Sequence, residues 1–283
     1  MKYAVTAATG NFGQAAVKQL NELVGADNVI VIARNAEKGK KLFPNNEVRQ
    51  GDYDDKQSMI DALKGVDRVL FISSQPGGKV DRATAHKNVV EALKEDGVKF
   101  VAYTSFPKAD TSNSALAGDH RETEAAIKDA GIAHAFLRNN WYLENEMAFL
   151  QSGAANQDAL YWANNHAGWA LEREYAEAAA KVVANDNPKE VYELAGKPAS
   201  YEDLGTALKK ATGNDFAVKQ VTNDEYAKFL ESTGLDAGTA AMFASFQAPI
   251  EDGSLDEDTD DLAEALGHPA LSLEEAIKEI LAR

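Results

Sequence analysis

The first 140 residues alternate between two hydrophobic periods. Short apolar runs at residues 2–6, 28–33, 47–49, 68–72, 99–103 and 134–137 have the length of strands. The run at 28–33 reads Asn-Val-Ile-Val-Ile-Ala, the β-branched content of a strand buried on both faces. Between the runs lie segments with helical spacing at 14–23 (Ala15, Val17, Leu20, Leu23), 36–42, 57–63, 83–96 and 120–129. Gly65, Gly97 and Gly131 stand where three of these helices should stop. Strands alternating with helices of about three turns predict an α/β fold, a doubly wound parallel sheet with right-handed crossovers.

The second half is less regular. An alanine-rich helix is expected at 172–184, a strand at 191–194, and helices at 201–211, 223–232 and 273–281. We expect residues 1–150, with a return segment at 172–196, to form the sheet domain. Residues 151–283 supply a smaller, mostly helical lobe. No fixed period runs through the chain, so a solenoid is not expected.

Composition narrows the function. The chain has 283 residues, 45% hydrophobic, with 29 Lys+Arg against 45 Asp+Glu and a formal charge of −16. That sign opposes non-specific binding to nucleic acid or anionic membrane. There is no cysteine, which excludes disulfides, thiolate metal sites and a cysteine nucleophile. The five histidines (His86, His120, His134, His166, His268) show no metal-ligand spacing. The acidic run 251–262, seven carboxylates without a basic residue, reads as a solvated loop. No apolar run approaches the roughly 20 residues of a membrane span. The N-terminus leads straight into a strand and a glycine motif rather than a signal peptide, so the cytoplasm is the expected compartment. Oligomeric state stays open, a homo-oligomer included.

The glycine motif is Thr6-Ala7-Ala8-Thr9-Gly10-Asn11-Phe12-Gly13, between the first strand and the first helix. This is the place of a dinucleotide fingerprint in a Rossmann-like fold. Gly10 lets backbone approach a pyrophosphate, Gly13 lets helix and strand pack closely, and the helix N-terminus offers N–H groups to the phosphates. Ala7 stands where the first glycine of such a motif belongs. About 20 residues on, NAD sites carry an acidic residue for the ribose hydroxyl. Here the strand ends in Ala33-Arg34-Asn35 with Lys38 nearby. With no carboxylate to repel a 2′-phosphate and an Arg to pair with it, NADP(H) is expected over NAD(H).

These features, with further stretches in the same order along the chain, resemble the NmrA-like atypical short-chain dehydrogenases, and within them the bacterial NADPH-dependent quinone oxidoreductases. The stretches are 31–35, 50–53, 70–74, 99–105, 120–124, 137–145, 191–196 and 266–269. The resemblance implies roles. Thr9, Gly10, Asn11, Phe12 and Gly13 would hold the pyrophosphate and Arg34 the 2′-phosphate. Asp52 and Tyr53 would flank the adenine. Ser73, Ser74 and Gln75 would line the way to the nicotinamide, and Asn139, Asn140, Trp141 and Tyr142 would close over it. The residues themselves agree in part, since Ser73-Ser74 and Thr104-Ser105 follow strands at the edge where such sheets bind ligands. Both pairs are equally compatible with simple turn chemistry. Trp141 and Tyr142 can stack on a flat ring or pack as core.

None of the nine tyrosines has Lys four residues later, so the Tyr-x-x-x-Lys proton donor common in this superfamily is missing. Reducing a ketone leaves a strongly basic alkoxide, which needs a positioned acid. Reducing a quinone leaves a hydroquinone anion whose conjugate acid resembles a phenol, pKa roughly 10, and water can protonate it. The missing pair therefore favours a quinone-type small-molecule acceptor. It is equally compatible with a non-catalytic NADP(H)-binding sensor, a second class of function. His120 is the remaining candidate proton donor, placed where the family carries Lys or His; a solvent-exposed helix-start histidine is the alternative.

Overall fold

The computed structural model describes residues 1–75 and 79–283. The chain divides into two compact units. The first comprises Met1–Asn139, Arg173–Leu194 and Asp261–His268, and the second Asn140–Glu172, Ala195–Asp260 and Pro269–Arg283. Residues 140–150 therefore belong to the second unit, not to the sheet domain as expected. Residues 261–268 return to the first.

In the first unit, β1 (Tyr3–Val5), β2 (Val29–Ala33), β3 (Glu47–Gln50), β4 (Arg68–Phe71), β5 (Phe100–Ser105), β6 (Ala133–Asn139) and β8 (Val191–Leu194) form one sheet. Its order is β3-β2-β1-β4-β5-β6-β8 and every pairing is parallel. Order reverses between β1 and β4, the switch point where such sheets bind ligands. The crossover helices are α1 (Asn11–Val24), α2 (Ala36–Leu42), α3 (Lys56–Leu63), α4 (Arg82–Glu95), α5 (Ala117–Asp129) and α7 (Glu172–Ala184).

Alternate side chains feed the two faces. Ile30, Ile32, Val69, Phe71, Val101 and Tyr103 join Met59 and Leu63 of α3, Val89 and Leu93 of α4 and Ile127 of α5 in one core. Val31 points the other way, toward Gly39 of α2. All five residues of β2 are buried, as its β-branched run requires. The amino end of β4 is fastened by Arg68, which donates to the carbonyls of Val183 (2.7 Å), in the last turn of α7, and Asn185 (2.6 Å), just past it.

The second unit contains α6 (Met147–Ala154), β7 (Ala159–Tyr161), α8 (Tyr201–Thr212), β9 (Val218–Gln220), α9 (Asn223–Ser232), α10 (Ala237–Ser245), α11 (Ala248–Glu251) and α13 (Leu273–Leu281). β7 and β9 pair in parallel. The short α12 (Asp261–Leu266) belongs to the first unit. The acidic run is less of a free loop than expected. Leu255 and Leu262 are buried, Lys197 pairs with Asp258 (3.3 Å) and Asp260 (3.0 Å), and α12 begins at Asp261. Among the described residues no cluster of His, Asp or Glu could hold a metal, and no helix is long and apolar enough to cross a membrane.

Candidate functional site

The chain leaves β1 through a turn built without its first glycine. Ala7 takes φ +47°, the left-handed region usually reserved for glycine. Its carbonyl accepts the Gly10 N–H (3.1 Å). Gly10 is the N-cap of α1 and gives it no side-chain cap. Gly10 and Asn11 are exposed, Thr9 is half-buried, and the side chain of Phe12 is buried in the core. The first-turn N–H groups and the positive end of the helix dipole are therefore presented at the surface, the requirement for holding a diphosphate. Gly13 is fixed by close approach: a Cβ there would lie 2.6 Å from both the Ala7 carbonyl oxygen and Ala8 Cα.

Arg34, just past β2, is exposed and has no ion-pair partner among the described residues. Asn35 beside it caps α2 by accepting the Lys38 N–H (2.9 Å). Asp52 is spent locally, its carboxylate accepting the Asp54 N–H (3.1 Å). Tyr53 departs from the role the resemblance gave it. Its side chain is buried rather than turned out to flank an adenine. Its phenol donates to the Ile72 carbonyl (2.7 Å) and meets the Thr6 hydroxyl, which accepts the Ile72 N–H (3.1 Å). Burial pushes the phenol well above its ordinary pKa, so it stays a neutral donor tying the ends of β1 and β4 together.

Ser73 and Thr104 meet past β4 and within β5. The Thr104 hydroxyl accepts the Ser73 N–H (2.8 Å) and donates to the Ser73 hydroxyl (3.2 Å). Gln75 is exposed. Ser105 also departs from expectation as a ligand. It is buried and donates to Glu124 (2.7 Å). Glu124 is in turn gripped by both arms of Arg138 (3.0 and 2.8 Å), which also pairs with Glu193 (2.8 Å) and Asp110 (2.9 Å). Glu124 and Glu193 raise the Arg138 guanidinium pKa above its ordinary value despite the opposing burial, and the cluster locks β5, α5, β6 and β8 together.

A second network, missed in the sequence, surrounds Ser74. The Ser74 N–H donates to His86 Nε2 (3.0 Å), and its carbonyl accepts from Arg82 Nε (2.7 Å). Arg82 also donates to His120 Nε2 (3.0 Å). His120 Nδ1 lies 2.9 Å from the Tyr103 hydroxyl, and His86 Nδ1 lies 2.9 Å from Thr123 Oγ1. These contacts assign both rings as neutral, with Nε2 accepting and Nδ1 donating. Burial, with Arg82 adding to it, pushes His86 down to about 3 and His120 well below its ordinary value. His120 is thus buried, not solvent-facing, and both ring nitrogens are engaged. Only its residue type was visible in the sequence, since positions 74, 82, 86, 103, 120 and 123 converge solely through the fold.

In the second unit Asn140 is spent on structure. Its carbonyl oxygen accepts the N–H groups of Trp141 (2.9 Å) and Gly168 (3.0 Å), and its amide donates to the Leu255 carbonyl (3.1 Å). Trp141 is buried edge-on to Phe246, so the packing alternative holds for it. Tyr142 is half-buried and Asn139, the last residue of β6 in the first unit, is buried. The unit also holds a buried carboxyl that sequence reasoning did not single out. Glu146 accepts from Trp169 Nε1 (3.2 Å) and the Tyr201 hydroxyl (2.8 Å). Burial raises it to about 7, against the lowering pull of those donors and of the nearby Trp141 indole.

Comparison with known proteins fits this geometry. The NAD(P)H-binding family profile matches residues 7–158. Quinone oxidoreductase 2 of Escherichia coli is 36% identical over 98% of both chains. The crystal structure of the E. coli NADPH-dependent quinone oxidoreductase QOR2 complexed with NADPH matches at a TM-score of 0.88, with 35% identity over 99% of both chains. The Citrobacter sp. triphenylmethane reductase complexed with NADP(H) matches at 0.93, with 30% identity over 99% of both. An NmrA-like family domain-containing oxidoreductase of Aspergillus flavus, flvB, is 24% identical over 99% of this chain and 95% of its own. The chain belongs to the NAD(P)H-binding, NmrA-like family of atypical short-chain dehydrogenases.

Proposed function

We propose that the protein is an NADPH-dependent oxidoreductase that reduces quinone-type acceptors, acting in the cytoplasm. The observation that carries the cofactor choice is Arg34, an exposed guanidinium without a carboxylate partner among the described residues, at the end of β2, the strand paired with the β1 that leads into the uncapped N-terminus of α1. The acceptor class rests on full-length likeness to quinone oxidoreductase 2 and on the missing Tyr-x-x-x-Lys pair.

The residues fit such a cofactor. The first-turn N–H groups of Asn11 to Gly13 would take the pyrophosphate and Arg34 the 2′-phosphate, while Ser73 to Gln75 and Thr104 would line the nicotinamide end. NADPH, when bound, supplies the hydride. The chain's contribution is orientation and a rigid wall rather than an acid. Both histidines near Ser74 are neutral and fully engaged, so neither supplies a proton as an imidazolium. The hydroquinone anion is weakly basic enough to take its proton from water.

The test is NADPH oxidation with a panel of quinones, alongside binding of NADPH and NADH. Turnover is expected, with a rate constant independent of pH between about 6 and 9 because no group of the wall titrates there. Arg34→Ala should weaken NADPH roughly 10- to 100-fold, the worth of a charge-assisted contact, and leave NADH unchanged. Binding without turnover on any acceptor would favour the sensor instead.

A further inference from the structure

We propose that Arg82 is a positioning residue for the nicotinamide end of the site: its guanidinium ties the Ser74 carbonyl to the His120 ring and so fixes the backbone of Ser73 to Gln75. The proposal rests on the NADPH-binding reading above and adds the residue that shapes the wall.

Three observations carry it. The first is connectivity. Ser74 is held at its carbonyl by Arg82 (2.7 Å) and at its N–H by His86 (3.0 Å), with its hydroxyl 3.1 Å from the same His86 nitrogen. The next residue back, Ser73, is held by Thr104. The exit of β4, beside the switch point of the sheet, is thereby pinned on consecutive residues. Arg82, at the start of α4, links this exit to His120 on α5, alongside the link that His86 makes from Ser74 to Thr123.

The second observation is where the cation stands. Arg82 is the first residue of α4. Positive charge at a helix N-terminus opposes the helix dipole, where an acidic residue would be favourable. The position is therefore not explained by helix stability.

The third is what the cation pairs with. Arg82 and Arg138 are both largely buried, with side chains 14% and 6% exposed. Arg138 is matched by three carboxylates. Among the described residues the one carboxylate paired with Arg82 is Asp119, at 3.4 Å and itself 46% exposed. The two shortest bonds of Arg82 instead go to neutral acceptors. In a chain with 45 carboxylates this guanidinium keeps a single, half-exposed and comparatively long ion pair among the described residues. It is used as a rigid fork, two acceptors held in one plane, which Lys cannot reproduce.

The fork also sets the state of His120. The titratable and charged groups around that ring are Arg82 and His86 from α4, Tyr103 from β5, and Asp119 beside it on α5. A donor on Nε2 leaves Nδ1–H for Tyr103, so the tautomer and ring orientation follow from Arg82.

The experiment compares Arg82→Gln and Arg82→Lys with wild type by NADPH and NADH titration, read from nucleotide fluorescence. Both variants should bind both nucleotides roughly tenfold more weakly. The equal loss separates positioning from the 2′-phosphate contact, where Arg34→Ala affects NADPH alone. Histidine NMR supplies the second readout. The His120 ring, neutral by burial, should stay silent from pH 5 to 8 in wild type, and in Arg82→Gln its ring-nitrogen resonances should shift as the donor to Nε2 and with it the tautomer and orientation change. Added ethylguanidinium should restore binding to Arg82→Ala. If Arg82→Gln does not fold, Arg82→Lys decides. Wild-type affinity in a folded variant, or a His120 that already titrates in wild type, overturns the proposal. Failure of quinone turnover would sink the activity but leave this binding test standing.

Discussion

Ala7 and Gly13 divide the work of the glycine turn. Ala7 holds φ +47° with a Cβ, a conformation that costs an L residue about 1 kcal/mol or more. Glycine there would relieve the strain but add a comparable loss of chain entropy. Ala7→Gly should therefore change stability by less than about 1 kcal/mol, whereas a β-branched Ala7→Val should lose about 2 kcal/mol. Gly13 has no such latitude, because a methyl group would press on backbone atoms at 2.6 Å that cannot rotate away. Gly13→Ala should shift α1 from β1, cost at least about 2 kcal/mol, and weaken NADPH binding more than Ala7→Val does. Thermal unfolding with nucleotide titration checks the ranking; an inert Gly13→Ala would refute the close-approach account. Both positions were readable as a motif, but which one tolerates a methyl group was not, since that depends on the direction in which each Cα faces its neighbours.

At the scale of elements, the buried carboxyl of Glu146 gives the second unit a pH signature. Its ordinary pKa of 4.5 is raised to about 7 in the fold, so the folded state holds the proton more tightly than the unfolded chain. The sign follows directly. This favourable protonation is complete below about pH 4.5, fades as pH rises toward 7, and is lost above it. The full swing is roughly 3 kcal/mol, at 1.36 kcal/mol per pKa unit. Glu146→Gln keeps an acceptor for Trp169 and Tyr201 and removes the titration. Relative to that variant, wild type should lose stability between pH 5 and 8; parallel unfolding curves would show that the carboxyl stays hydrated.

Glu146 was hidden for the same reason as its surroundings. The short 3-10 turn at Leu143–Glu146 and α6 lack a clean amphipathic stripe, and β7 and β9 have three residues each, too few for alternation to register. The parallel strands of the first unit were legible because burial on both faces writes itself into the sequence as continuous β-branched runs. Ligand roles drawn from order along the chain were less secure. Tyr53, Ser105 and Asn140 lie at the expected strand ends, but a strand end does not reveal whether a side chain turns inward, and all three do.

For the whole molecule, the charge of −16 and the proposed cofactor, itself a multiply charged anion, pull against each other. On the proposed reading, binding depends on two local positive features, Arg34 and the uncapped N-terminus of α1, set in a repelling field. The two act over different ranges. The Debye length falls from about 30 Å at 0.01 M salt to about 8 Å at 0.15 M. Salt therefore removes the long-range repulsion first and weakens contacts at hydrogen-bond distance much less. Steered proteins lose association rate as salt is added; this one should gain it. Stopped-flow mixing should show the NADPH association rate rising severalfold from 0.01 to 0.15 M salt, with a smaller rise for NADH, which lacks the 2′-phosphate charge. Arg34→Ala should steepen the NADPH rise, because the repulsion is then unopposed at the 2′-phosphate end. A rate that falls with salt in wild type would mean that the local field reaches well beyond the site and that the net charge plays no part in cofactor capture.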